Sequence, residues 1–314
     1  MTAHEKSPLV TVVSIFLDER EFLSEAIESV IAQDFEDWEL VLVDDGSRDG
    51  SDAIAQAFAA SDSRIRFIAH EGGANLGMSA SRNAGVAAGS GRFVTFIDGD
   101  DRWPPDKLSR QLAIMDANPG IGAAVGAFRI WNSWRGEEDR IEYSGQSRDC
   151  VTPVPDALMQ VYPLGRAGGA PVGAIVRRSL FEDIGGFEES FPGFYEDQAF
   201  FLKVYAYAPV WFSSEVWQDY RQHPGSCCAR VEAAGTYGRK RAAFLDWAER
   251  YVRSLGREWQ GEALAAIRRE RRRLRFREWA RPVRKGLAAI RRTVTFGGRR
   301  ASGEGSLQPS GNGS

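Results

Sequence analysis

The sequence predicts an α/β protein built on a Rossmann-like, mostly parallel central sheet flanked by helices, with a helical extension after it. Three observations carry that expectation. Short β-branched apolar runs alternate with amphipathic helical segments through the first hundred residues. Two of those runs stop abruptly in acidic turns. The composition, 43% hydrophobic and 26% charged over 314 residues, is that of a globular chain able to bury a sizeable core. Strands separated by helical crossovers mean βαβ units, since parallel neighbours cannot be joined by a tight turn.

Val10 to Leu17 (VTVVSIFL) reads as a buried strand, and Arg20 to Gln33 sets Phe22, Leu23, Ala26, Ile27, Val30 and Ile31 at helical spacing. A second strand, Trp38 to Val43, ends in Asp44-Asp45-Gly46-Ser47. A helix is expected over Ser51 to Ala60, a strand over Ile65 to Ala69, and a helix over Met78 to Ala88 after a Gly/Asn turn. Arg92 to Ile97 is a fourth strand, ending in Asp98-Gly99-Asp100-Asp101. Proline is welcome in a first helical turn, where its missing N–H costs nothing, so Pro104-Pro105 should open a helix reaching Asn118. Strands are expected at Ile121–Ile130, Val172–Val176, Val210–Phe212 and Val216–Arg221, with helices over Ser179–Ile184 and Glu196–Tyr207. Asn132 to Asp149 is polar and reads as a loop over the sheet. From Val231 the pattern is helical, and beyond Gly297 it is Gly/Ser-rich and reads as disordered.

Three cysteines, two of them adjacent, make no disulfide framework and point to a reducing cytoplasm. The opening residues lack the basic start and apolar stretch of a signal peptide, and no apolar run is long enough to span a membrane. The net charge of −3 hides an asymmetry: from Arg268 to Arg300 there are fourteen basic residues against two glutamates. Arg268 to Arg292 interleaves Leu274, Phe276, Trp279, Val283, Leu287 and Ile290 with arginines. Such a segment can lie on an anionic membrane surface or pack on the acidic globule with its arginines in solvent. Binding to nucleic acid is the weakest of the three expectations.

Ligands of a parallel open sheet bind at the carboxyl ends of its strands, where VLVDDGS and TFIDGDD gather their acids. Carboxylates converging on one crevice repel each other and call for a positive partner. A divalent ion, Mn²⁺ or Mg²⁺, suits them, with Asp98 and Asp100 as hard oxygen ligands and phosphates completing the shell. Turn formation alone would also explain Asp and Gly after a strand.

The combination goes further than its parts. VTVVSIFLDEREFLSEAIESVIAQDFEDWELVLVDDGSRDGS resembles the opening of family two glycosyltransferases, which have the GT-A nucleotide-sugar fold. NLGMSASRNAGVAAGSGRFVTFIDGDD resembles that family's Arg-Asn-x-Gly helix, strand and Asp-x-Asp motif. VGAIVRRSLFEDIGGFEESFPGFYEDQAFFLKV is similar to its acceptor-side segment, and YRQHPGS to its closing strand. The resemblance covers residues 8 to 226. It implies a GT-A domain over 1–228, with a nucleotide-binding half at about 8–118 and an acceptor half at about 119–228. A basic helical extension over 229–296 and a tail over 297–314 follow.

The resemblance also implies roles. Asp44 and Asp45 would face the base and ribose, with Phe16, Leu17, Asp18 and Gly99 along the donor. Arg82 would neutralise phosphate or pack on the base. Asp98, Asp100 and His223 would hold the metal, although His223 could equally be a loop histidine and Arg221 a phosphate ligand. Asp197 would be the base of an inverting displacement, its pKa raised by Glu196. Ile15-Phe16-Leu17-Asp18 stands where the family usually has Pro-x-Tyr-Asn, so stacking on the base falls to Phe16 if to any residue. The implied donor is a nucleotide sugar, UDP-linked in most of the family, and the acceptor a glycan or lipid-linked saccharide at the inner face of the membrane. A sugar nucleotidyltransferase would need a Gly-rich triphosphate loop where LDERE stands. An inactive binding protein with the same fold is the other rival.

Overall fold

The computed structural model describes residues 7–165, 173–191 and 193–276. Its strands are β1 Val10–Phe16, β2 Trp38–Asp44, β3 Ile65–Ala69, β4 Phe93–Asp98, β5 Ala123–Trp131, β6 Arg140–Glu142, β7 Cys150–Thr152, β8 Ile175–Arg177 and β9 Val210–Arg221. Between and after them run α1 Leu23–Ile31, α2 Ser51–Ser61, α3 Met78–Ala88, α4 Lys107–Ala117, α5 Asp156–Gln160, α6 Arg178–Asp183, α7 Glu196–Tyr207, α8 Cys227–Ala233 and α9 Tyr237–Ser254. All these elements lie in one compact unit reaching Arg268; a second begins at Arg269, and its described residues, 269–276, are helical. The expected extension beyond residue 276, the expected tail and the start of the expected Val172 strand lie outside the described residues.

The strands form one sheet in the order β3-β2-β1-β4-β8-β5-β9-β7, with β6 added to β5. The expected parallel arrangement holds for β3, β2, β1 and β4, whereas β8 enters antiparallel between β4 and β5 and makes the rest of the sheet mixed. Every residue of β1 is buried, as the unbroken apolar run requires of a strand covered on both faces. Helix α1 turns Leu23, Ala26, Ile27 and Val30 inward, at the spacing that gives a helix one apolar face. On the same sheet α3 packs so closely that a Cβ at Gly85 would stand 2.3 Å from Val13 Cγ1, so only glycine fits there.

Two expectations are corrected. Residues 210–221 make one strand, not two, because β9 carries Ser213, Ser214 and Glu215 through an irregular register opposite Val125 to Phe128. The segment 132–149 holds a 3₁₀ turn at Ser133–Arg135 and strand β6, which pairs with β5 through three residues.

Helix α9 closes on the segment leading into α7. Its Phe244, fully buried, stacks on Tyr195 with ring centroids 4.8 Å apart and planes within 7°. Trp247 meets Phe191 edge-on at 5.7 Å and donates from Nε1 to Glu188 at 3.2 Å. Lys240 Nζ donates to the Gly193 carbonyl at 3.0 Å.

Candidate active site

Parallel pairing sets Phe16 opposite Asp44 and Ile15 opposite Asp98, so the acidic turns after β2 and β4 flank the end of β1. A cavity of 300 Å³ opens here, bordered by Ile15, Phe16, Leu17, Asp45, Asn75 and Asp100 among others. A second, of 260 Å³, is bordered by Arg82, Glu196, Asp197 and several aromatic rings. Asp98, Met78, Tyr220 and Cys227 border both.

The β2 turn divides its two acids. Asp45 Oδ1 accepts the N–H groups of Leu76 and Gly77 at 2.8 and 3.0 Å, where the backbone enters α3. An anion is favoured at such a helix start. Asp44 Oδ1 accepts from Ser47 N–H at 2.8 Å and holds its own turn; it does not border the first cavity. Asp18, with φ 58°, joins the turns after β1 and β2: its Oδ1 accepts from Arg48 N–H at 2.7 Å and its N–H donates to Ser47 Oγ at 3.0 Å. It borders a neighbouring surface hollow with His223, not the donor-sized cavity.

Around the Asp-x-Asp turn the chain packs tightly. A Cβ at Gly99 would come within 2.8 Å of Phe16 Cβ, so the turn can lie on β1 only with glycine here. Asp100 Oδ2 is 2.9 Å from His223 Nε2. Asp101 is fully buried, accepting from Gln218 Nε2 and from Arg221 N–H, the latter at 2.9 Å. Burial, then the charges of Asp100 and Asp98, push it well above the usual carboxylate range. Arg221 donates from Nε to the Asp100 carbonyl at 2.7 Å and pairs with Glu25, so its guanidinium braces the turn.

Arg82 is the hinge of the site. It is 1% exposed, donating from Nη2 to Asp98 Oδ1 at 2.7 Å and from Nη1 to Glu196 Oε1 at 3.1 Å. The sequence expectation had it reaching the nucleotide; here its guanidinium ties the Asp-x-Asp turn to the start of α7. Burial pushes the Asp98 carboxyl up, and Arg82 pulls against that shift. Glu196 and Asp197 occupy the first turn of α7, reached through Phe194 and Tyr195 with φ 75° and 76°. Burial, then the Glu196 charge, raises Asp197 to about 8.

Glu19 is the residue that sequence reasoning missed. One ligand atom from each of Glu19, Asp100 and His223 lies within 4.8 Å of the other two, and the same holds for Asp98, Asp100 and Asp101. Burial, then Asp100 and Asp98, lift Glu19 to about 8. The expected doublet of Asp98 and Asp100 is thus part of a wider set of hard oxygens with one imidazole, a donor set that fits Mg²⁺ or Mn²⁺. The only sequence signal for Glu19 was its place just after β1, the strand that pairs with β4.

Parallel strands ending at a 300 Å³ cavity, an Asp-x-Asp turn at its rim and an acidic helix start beside it define a GT-A protein. Residues 11–185, more than half of the chain, match the model of glycosyl transferase family 2, and the chain belongs to that family. It is 37% identical over 108 residues to TuaG of Bacillus subtilis, covering 34% of this chain and 42% of that one. Against the Escherichia coli UDP-Glc:alpha-D-GlcNAc-diphosphoundecaprenol beta-1,3-glucosyltransferase WfgD it is 34% identical over 125 residues, 40% of this chain and 47% of the other. The chain therefore matches less than half the length of either relative. Among solved structures, residues 1–349 of S. aureus TarS in complex with UDP-GlcNAc align with a TM-score of 0.65 at 18% identity, over 83% of this chain and 72% of TarS 1–349. The mannosyltransferase PcManGT of Pyrobaculum calidifontis, with GDP-Man and Mn²⁺, aligns at 0.55 and 17% identity, over 91% and 81%. At those identities the likeness is one of fold.

Proposed function

We propose that this chain is a metal-dependent, inverting glycosyltransferase. It moves a sugar from a UDP-linked donor to a hydroxyl of a glycan or lipid-linked saccharide, in the building of a bacterial surface polysaccharide. The observation that carries this reading is Asp98. It borders both cavities and is joined through Arg82 to Glu196, next to Asp197. This supports a reading in which the leaving group sits by Asp98 and the base, Asp197, follows directly after the residue that Arg82 ties to it.

In that reaction the acceptor oxygen bonds to the anomeric carbon as the bond from that carbon to the diphosphate oxygen breaks. Asp197 takes the acceptor proton, and attack from the face opposite the leaving group inverts the centre. A carboxylate lifted to about 8 is a stronger base than an ordinary one. A divalent ion held by Asp98, Asp100 and His223, with Glu19 beside them, would offset the negative charge on the departing nucleoside diphosphate. Asp45, Phe16 and Leu17 border the donor cavity and would hold the nucleoside.

The UDP assignment draws on the donor in the name of WfgD and on the ligand of TarS; the GDP-Man of PcManGT is the competing outcome. We assign the nucleotide-binding half to about 8–118, the acceptor half to 119–228 and the basic extension to 229–296. The extension would rest on an anionic membrane at the cytoplasmic face. No helix among the described residues is long and apolar enough to cross one. The test is calorimetric titration with UDP, GDP and dTDP, with Mn²⁺ and with EDTA, alongside Asp100→Ala. Metal-dependent binding of UDP, lost in the variant, is expected. A folded protein that binds no nucleotide with metal present would refute the proposal.

A further inference from the structure

The second cavity combines two chemistries. Asp98, Glu196 and Asp197 give it three carboxylates, and its one cation among the described lining residues, Arg82, is already engaged by two of them. Half of the remaining lining residues are aromatic. Phe128 and Tyr220, from paired strands, meet edge-on at 6.3 Å, and Phe194 and Tyr237 meet edge-on at 5.5 Å.

The second pair is unusual in two ways. Tyr237, at the start of α9, is 45% exposed, whereas Phe244 and Trp247 of the same helix are buried. Phe194 holds a left-handed φ of 75°, a strained conformation for a bulky residue and one that concentrates at ligand clamps. Its neighbour Tyr195, equally left-handed, is locked into the aromatic stack with Phe244. Phe194 is only half-buried and borders the cavity beside Tyr237; Tyr195 borders it too, its ring 6.3 Å from that of Tyr237.

We infer that Phe194 and Tyr237 form the platform for the acceptor, and that the ring they take is an uncharged pyranose. This inference rests on the transfer reading of the same cavity. A pyranose has an apolar face of C–H groups, which the negative face of an aromatic ring attracts, and a rim of hydroxyls that carboxylates can accept from. One of those hydroxyls must reach Asp197. Among the described lining residues the one cation is Arg82, already held by two of the three acids, so a uronic acid or a phosphorylated ring finds no cationic partner there. The platform therefore selects for the acceptor's shape and neutrality, leaving nucleotide recognition to the first cavity, which neither Phe194 nor Tyr237 borders.

The probes are methyl glycosides of glucose, galactose, mannose and N-acetylglucosamine, together with methyl glucuronide. Each is measured by saturation-transfer NMR against the full chain with UDP and Mn²⁺. At least one neutral glycoside should bind, with saturation concentrated on the C–H protons of one ring face, and the glucuronide should not. Phe194→Ala and Tyr237→Ala should each weaken that binding about fivefold, the loss of one aromatic contact. Tyr237→Phe, which keeps the ring and drops the hydroxyl, should retain it. Binding of no neutral glycoside, equal binding of the glucuronide, or unchanged affinity in both alanine variants would overturn the inference. UDP calorimetry on the same samples separates the two readings. Nucleotide binding that persists while the glycoside results fail removes only the platform; its absence in the wild type removes the transfer reading as well.

Discussion

Replacing Arg82 with methionine keeps much of the side-chain volume and removes the cation between Asp98 and Glu196. Breaking a buried ion pair by deleting one partner typically costs about 3–5 kcal/mol, because the other charge is left buried and alone. Here the two carboxylates differ. The Asp98 side chain is 25% exposed and can relax toward water, while that of Glu196 is 5% exposed and has an oxygen without a hydrogen-bond partner. The larger share should therefore fall on Glu196, for a total loss of ~3 kcal/mol, near the lower end of that range. The loss should also depend on pH. Without Arg82 the Asp98 carboxyl, already pushed up by burial, loses the cation that pulls against that shift and rises further above its unfolded value. The native variant then holds extra protons, and its stability falls as pH rises through that interval. Urea unfolding at about pH 5 and pH 8 reads this directly: a small deficit at the lower pH and the full one at the higher. Adding Glu196→Gln should recover part of the loss, since the stranded charge goes with it. A deficit below about 1 kcal/mol, or one equal at both pH values, would refute the account of Arg82 as the buried clamp of the site.

Asp197→Asn should abolish transfer while leaving UDP and Mn²⁺ binding in place. In the wild type, kcat/KM should climb with pH through about 8, where the free carboxyl loses its proton; a flat profile from pH 6 to 9 would count against Asp197 as base. Gly99→Ala forces a Cβ to 2.8 Å from Phe16 Cβ, and thermal or urea melts should show a loss of about 1–3 kcal/mol along with weaker UDP binding. Lys107 is fully buried, its Nζ donating to Thr95 and Gln111 and lying 3.6 Å from the Trp103 ring centroid. Burial holds its pKa well below the usual lysine value, so the unfolded chain binds the proton more readily and stability drops as pH falls. Lys107→Met should remove that slope, and its stability relative to wild type should improve steadily on acidification.

The first half of the fold was legible because its signals are local. The run VTVVSIF, the helical spacing of Leu23 to Val30 and the acids closing β2 and β4 each lie within one element, and the parallel order follows from their alternation. The second half was harder. Ser213 to Glu215 look like a break in sequence, yet β9 runs through them by an irregular register that only its partner β5 reveals. Helix α5 is five residues long, too short for any periodicity to show. In the site itself, the identities of Asp98, Asp100, Glu196, Asp197 and His223 could be read from motifs. The engagement of Arg82 could not, because its partner Glu196 lies 114 residues away. Glu19 stayed hidden for the same reason: its neighbours Asp100 and His223 come to it through strand pairing and a late loop, not through spacing along the chain.

The stack of Phe244 on Tyr195 has a consequence for how this enzyme core can be cut or borrowed. The stretch matching the family model ends at residue 185, before the acids of α7 begin, and the helix that wedges Tyr195 in place starts only at Tyr237. Two successive left-handed residues without glycine are a sprung turn, and α9 is the latch that keeps it loaded. A fragment trimmed at residue 226, after the last of the motifs, would retain the strands, the Asp-x-Asp turn and the acids themselves, yet lose the latch. The aromatic side chain that holds this turn thus lies nearly fifty residues downstream of Asp197, and a working fragment should include it.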